Sequence, residues 1–279
     1  MKTLIFGDTH ISKDNINELV PIFDEILSYK ADRLICLGDY YDTKTLSTDC
    51  LLFGTEVARK IRDKYKEVYF IEGNHDKEII KYLSSLDFKV DKEFIIDNIF
   101  YGHFFVYESK KSFNSTKISC KELRQYKLTL LGHQHSYQRI NDTVYHIGSP
   151  IYVDFGEVED ENKNIAIIEN NVSIIPLYTP IPMHDVHSIS ELEIIPDRTK
   201  VRLIINDFNQ LKKESQYLDK YKNKFYQFKL KINFQNNTNT KSIESNLQIK
   251  DLINEWINKI QDSEVKQILW DSLFQYLQE

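Results

Sequence analysis

The chain has 279 residues, 41% of them hydrophobic and 28% charged, a balance that suits one large globular domain or a medium domain with additions. No apolar run approaches the roughly 18–20 residues of a membrane span, and a formal net charge of −6 argues against a nucleic-acid binder whose whole surface is basic. Cys36, Cys50 and Cys120 form no paired pattern, so the expectation is a reduced, cytoplasmic chain with incidental thiols and no membrane partner.

In chain order, "KTLIF" at 2–6 reads as a strand and is followed by Ile16, Leu19, Val20, Phe23, Ile26 and Leu27 at helical spacing. Pro21 interrupts that stretch, so the regular helix is expected to begin near it, where proline is tolerated. "RLICL", a helical stretch at about 46–64, "VYFIE", "NIFY" and "LTLL" come next, with further strands at Val144–Ile147, Asn164–Ile168 and Val172–Leu177. This rhythm of strand and helix predicts an α/β domain with a largely parallel sheet. After the proline-punctuated "PLYTPIPMHD" at 176–185, "KVRLII", "DFNQLKKESQYLDKYK" and "FYQFKLKINF" read as a small β-α-β addition. Polar "QNNTNTKS" at 235–242 reads as a linker, and two helical patterns fill 249–278. The expected division is therefore 1–180, 181–240 and 241–279.

Glycine carries the functional signal. The chain has only eight glycines, where average usage of about 7% gives roughly twenty. Five of them follow the strand-like runs and open polar clusters: "FGDTH", "LGDYYD", "EGNHD", "YGHFF" and "LGHQH". Ligands in open α/β sheets gather at the carboxyl ends of strands, so Asp8, His10, Asp39, Asn74, His103, His133 and His135 can converge in one crevice. Any one of them alone reads as an ordinary surface or core residue; the set, at the ends of five separate strands, reads as a metal site. Its donors are oxygen and imidazole without thiolate, which suits Mn²⁺, Fe²⁺ or Zn²⁺ and disfavours a structural cysteine zinc site.

In order and spacing, Asp8-x-His10, Gly38-Asp39-x-x-Asp42, Gly73-Asn74-His75-Asp76, His103 and Gly132-His133-x-His135 resemble the calcineurin-like metallophosphoesterases. That resemblance implies a four-layer α/β/β/α sandwich, here with a small α/β cap and C-terminal helices, and two divalent metal ions, Mn²⁺ first among them. It gives the first ion Asp8, His10, Asp39 and His135, and the second Asp39, Asn74, His103 and His133, with Asp39 bridging. Two such ions bring +4 against two ligand carboxylates, leaving about +2 to attract a phosphate. In the family, the equivalent of His75 faces the substrate as charge stabiliser or acid; Asp42 is its expected orienter. Asp76 is expected to cap its local turn, and His146, His184 and His187 to be structural or exposed.

Thr43-Lys44 and Asp76 stand where the serine/threonine protein phosphatases of this superfamily carry arginine and glutamate, which argues against that branch. "LTLLGHQHSYQRINDTVYHIGSPIYVDFGEVEDENKNIAIIE" instead looks like the SbcD-type DNA repair nucleases and their phage recombination counterparts. This implies metal-dependent DNA cleavage in repair, recombination or replication, with DNA as the main partner. It also implies an SbcC-type coiled-coil ATPase docked on the helices at 249–278, which alternatively pack on their own domain, and a homodimer. Lys110, Lys111, Lys117, Lys121, Arg124 and Lys127, lying between two metal motifs, are the DNA-binding candidates, with a solvated face as the alternative. Two rivals stand beside the nuclease: a phosphodiesterase for a nucleotide or other small phosphoester, and a metal-free scaffold, whose signature would be lost ligands.

Overall fold

A computed structural model describes residues 1–110, 118–206, 208–221, 223–236 and 239–245. Lys111, Lys117 and the helical patterns at 249–278 lie outside the described residues. The chain divides into two compact units, Met1–Ile181 and Pro182–Glu279.

In the first unit, β1 (Thr3–Phe6), β2 (Arg33–Cys36), β3 (Glu67–Ile71) and β4 (Lys89–Asp91) run parallel, and β10 (Asn164–Ile168) and β11 (Val172–Pro176) add antiparallel strands beside β1. A second sheet holds β5 (Glu93–Ile96), β6 (Ile99–Gly102), β7 (Leu128–Leu131), β9 (Val144–His146) and β8 (Gln138–Arg139), with β6, β7 and β9 parallel. The strands are apolar on both faces because both faces are covered. Leu4, Phe6, Leu34, Cys36 and Phe70 alternate toward a core closed by α1 (Ile16–Ser28) and α2 (Thr48–Lys64). Their neighbours Ile5, Ile35, Leu37, Tyr69 and Ile71 point the other way and meet Ile99, Tyr101 and Leu130 of the second sheet. The outer face of that sheet, from Phe100, Leu131 and Val144, is covered by Val106, Cys120 and Leu123, the last on a 3₁₀ turn at Glu122–Gln125. The result is a mixed α/β sandwich, its outermost layer thin among the described residues.

Pro21 lies inside α1, which starts five residues earlier than expected, at Ile16. Proline removes one backbone bond, to the carbonyl of Asn17, and Asn17 is exposed, so that this face of the helix borders solvent. Burial of Leu19, Ile22, Phe23 and Ile26 keeps the helix continuous. The N-terminus of α2 is capped by Ser47, whose hydroxyl accepts from the Cys50 backbone N–H at 3.3 Å.

The second unit is a four-stranded sheet in the order β12 (Met183–Val186), β13 (Lys200–Ile205), β14 (Gln227–Asn236), β15 (Asn239–Ser245), parallel except for β15. Its core joins Leu192 of α3 (Ile189–Ile194) and Leu211 and Leu218 of α4 (Phe208–Tyr221) to Leu203, Ile205 and Leu230. Two expectations change here. Met183–Val186, within the stretch read as a connection, is a strand, and the prolines end just before it, leaving its backbone free to pair. Within the polar run at 235–242, read as a linker, Gln235 and Asn236 of β14 pair in register with Thr240 and Asn239 of β15. A strand with almost no apolar alternation gives no periodic signal.

Ile35 is fully buried between the two sheets. Ile35→Ala is expected to lower stability by about 2–5 kcal/mol, read as a shift of the urea midpoint at unchanged slope.

Candidate metal centre

β1, β2 and β3 of one sheet and β6 and β7 of the other deliver their carboxyl ends to one place. Pairing continues past the strands: the N–H groups of Asp8, His10 and Ile11 donate to the carbonyls of Gly38, Asp39 and Tyr40, each at 2.9 Å, and Asp42 N–H to Ile11 at 3.0 Å. The loops are thus extensions of the sheet. Yet Asp8 (φ 55°), His10 (φ 45°), Asp39 (φ 46°) and His133 (φ 74°) all lie in the left-handed region, which costs a non-glycine residue on the order of 1–3 kcal/mol. The other non-glycine residues with positive φ among those described are Asp87, Asp97 and Asn98, types that tolerate it in turns.

The strain brings donors together. His10 Nε2 lies 3.1 Å from His135 Nε2 and 3.7 Å from Asp39 Oδ2, and Asp8 Oδ1 lies 4.0 Å from His135 Nε2. Beside them, His103 Nε2 is 3.1 Å from Asp39 Oδ2, 3.1 Å from Asn74 Oδ1 and 3.2 Å from His133 Nδ1. All seven expected ligands are therefore gathered, in two groups that share Asp39. Two nitrogens bound to one ion at about 2.1 Å lie about 3.0–3.4 Å apart, so the spacing and the N/O donor set both fit divalent cations. Burial, aided by His135, pushes His10 down to about 3; burial, aided by His103, pushes His133 down to about 4. Both rings are neutral and have a lone pair to give. For His103, burial works against the charge, but the Asp39 hydrogen bond and the Asp8 and Asp39 charges outweigh it and raise the group to about 9. Burial likewise opposes the Asp39 charge, which His103, His10 and the His75 backbone N–H hold well below the usual carboxylate range. The cluster calls for positive charge at its centre.

Side chains and glycines hold this arrangement. Gly38 has φ 97°, and a Cβ there would stand 2.5 Å from His103 Nδ1; a Cβ on Gly73 would stand 2.0 Å from Asp39 Oδ1. His103 Nδ1–H donates to the Leu37 carbonyl at 2.7 Å, which turns Nε2 toward the cluster. Asn15 donates to the His10 carbonyl at 2.9 Å, and His133 N–H donates to Asp8 Oδ1 at 3.0 Å. Asp76 does more than cap its turn. Buried, it accepts from Gly73 N–H at 2.9 Å and also from Tyr40 N–H at 2.7 Å and Tyr41 N–H at 3.2 Å, tying the third motif to the second.

His75 stands at the rim, its ring edge-on to His10 with centroids 4.7 Å apart. Asp42 Oδ1 is 3.5 Å from His75 Nδ1, an ion-pair distance longer than a hydrogen bond. His146 is buried and structural, 2.8 Å from Ser109 Oγ, while His184 and His187 are exposed. Lys110, Lys121 and Arg124 are exposed on the segment between β6 and β7. Lys127 lies at the entrance to β7, its N–H donating to Asn98 O at 2.9 Å, about 20 Å of strand away from His133. Glu157 was not foreseen. It is buried, with Oε1 2.9 Å from His135 Nδ1; the acidic residue is visible in "DFGE", but nothing in the local sequence names its partner.

This is the site and sandwich of a metal-dependent phosphoester hydrolase. The model of the family described as "Calcineurin-like phosphoesterase" matches residues 1–206, and the chain belongs to that family. Among solved structures it is similar to Yfce, a phosphoesterase from E. coli, with 18% identity, TM-score 0.39, and 63% of this chain and 93% of that one covered. It is also similar to the Pseudomonas putida nuclease MPE (19%, TM-score 0.34, 63% and 76%) and to a single mutant of Vps29 from Entamoeba histolytica (14%, TM-score 0.42, 64% and 100%). No curated protein matches the sequence. Among the described residues, no helix is long and apolar enough to cross a membrane.

Gly73→Ala should drive its methyl into Asp39 and lower the stability of the metal-free protein by about 1–3 kcal/mol, measured by urea unfolding. Unchanged stability would show that the second and third motifs are not packed in this way.

Proposed function

We propose that the chain is a DNA nuclease that hydrolyses phosphodiesters with two divalent cations, Mn²⁺ first among them, held by Asp8, His10, Asp39 and His135 and by Asp39, Asn74, His103 and His133. The observation that carries the two-cation reading is Asp39, whose Oδ2 lies 3.7 Å from His10 Nε2 and 3.1 Å from His103 Nε2, one in each group of donors. Cations held there supply Lewis acidity and charge neutralisation to phosphoester hydrolysis. His75, at the rim with Nδ1 toward Asp42, offers Nε2 to the substrate, to stabilise charge on the phosphoryl group or to protonate the leaving oxygen.

DNA is favoured over a small phosphoester by the block from "LTLLGHQH" to "NIAIIE" and by the α/β unit that follows the catalytic fold. An ATPase partner on residues 249–278 and a homodimer belong to the same proposal. The test is Mn²⁺-dependent hydrolysis of labelled single- and double-stranded DNA beside bis-p-nitrophenyl phosphate. Cleavage of both is expected in the parent and of neither in folded Asp39→Ala. Turnover of the small ester without any DNA cleavage would overturn the nuclease in favour of a small-phosphoester enzyme.

His75→Ala is expected to keep two bound metals by elemental analysis while turnover falls on the order of 10²–10⁴-fold. Loss of metal from that variant would make His75 a ligand or a structural residue.

A further inference from the structure

His135 differs from His103 in what stands behind it. Among the described residues, the second nitrogen of His103 faces a backbone carbonyl, whereas His135 Nδ1 faces a buried carboxylate at 2.9 Å. Glu157 is fixed in turn. Its Oε1 accepts from Asp154 N–H at 3.1 Å, its Oε2 accepts from Val153 N–H at 3.3 Å, and Lys163 Nζ binds the same Oε2. Lys163 is itself buried, bound to Asp160 Oδ2 at 2.8 Å, and reaches the His135 carbonyl at 3.3 Å. Ser149 N–H donates to that carbonyl at 2.8 Å. Both the ring and the backbone of His135 are therefore gripped by one clamp.

We propose that Glu157, oriented by Lys163, is the positioning residue of His135: it accepts the Nδ1–H, fixes the tautomer and ring plane, and aims the Nε2 lone pair at Asp8 and His10. An ionised carboxylate has no proton to donate, so Nδ1 must carry the hydrogen of this bond. That leaves Nε2 as the donor to metal, and the carboxylate raises its basicity. A buried ion pair contributes little net stability against an apolar pair of similar volume. Stability alone thus gives no reason for Glu157 and Lys163 to converge on His135. The inference rests on the two-cation reading and assigns the clamp to one of the two sites.

The test uses the full chain and Mn²⁺ as the probe. In Glu157→Gln the amide either faces Lys163 with its NH₂ or turns it toward His135 Nδ1, and both disturb the clamp. Calorimetric titration of the folded variant should show one Mn²⁺ bound as in the parent and the other weakened 10–100-fold. A merely structural role would lower the melting temperature and leave the two affinities together. Equal weakening of both, or parental affinity at both, overturns the inference while leaving the two-cation reading intact. A parent that binds no Mn²⁺ overturns both. Long-range ¹H–¹⁵N spectra of the metal-free parent test the tautomer without a variant, so the proposal stays decidable if Glu157→Gln does not fold. His135 should carry its proton on Nδ1; a proton on Nε2 alone sinks the proposal.

Discussion

Two buried carboxylates, Asp8 and Asp39, flank one imidazole: His103 Nε2 is 3.1 Å from Asp39 and His103 Nδ1 3.9 Å from Asp8. Both carboxylates are out of water, where an unpaired charge is costly. A fold that keeps them there must supply positive charge and hydrogen bonds within a few ångströms, and the site is built from that requirement. Backbone N–H groups of His133 and His75 serve Asp8 and Asp39, the imidazoles converge on what remains, and divalent cations match both the charge deficit and the donor set.

The sandwich meets this requirement because both sheets are buried on both faces. Strands with Ile5, Ile35 and Ile71 on one side and Phe6, Cys36 and Phe70 on the other cannot shift register without moving apolar groups between cores. Their carboxyl ends are therefore fixed points. The loops inherit that rigidity, since backbone pairing between the first two motifs runs on through Ile11 and Tyr40, and Asp76 then ties in the third motif.

Much of this was legible in the sequence because it is local. Apolar runs ended by glycine and followed by Asp, Asn or His announce strand ends with donors, and the order of motifs pointed to the family. What was hidden is what local pattern does not carry. Pro21 reads as a helix start until burial of the surrounding residues is known. The strand at Asn239–Ser245 lacks apolar alternation. Lys127 is near the last metal motif in sequence, but β7 stands between the two as a spacer. Glu157 touches His135 across 22 residues, a distance that no periodicity spans.

The strained backbone explains why glycine counting saw only part of the site. Gly38 and Asp39 are consecutive residues with positive φ, 97° and 46°, so the chain turns sharply as it leaves β2. Glycine takes the first position because a Cβ there would strike His103. It cannot take the second, because a carboxylate is required there, and aspartate is among the side chains that tolerate the left-handed region. Asp8, His10 and His133 are in the same position: the residue that bears the strain is also the residue that bears the donor. The fold offsets that strain by over-determining each of the four, through the Gly38 and Asp39 carbonyls for Asp8 and His10, the His75 N–H for Asp39 and the Asp8 carboxylate for His133. Relieving the strain with glycine would remove a donor, and relaxing the backbone would break the bonds that hold its neighbour, so geometry and chemistry here are one constraint.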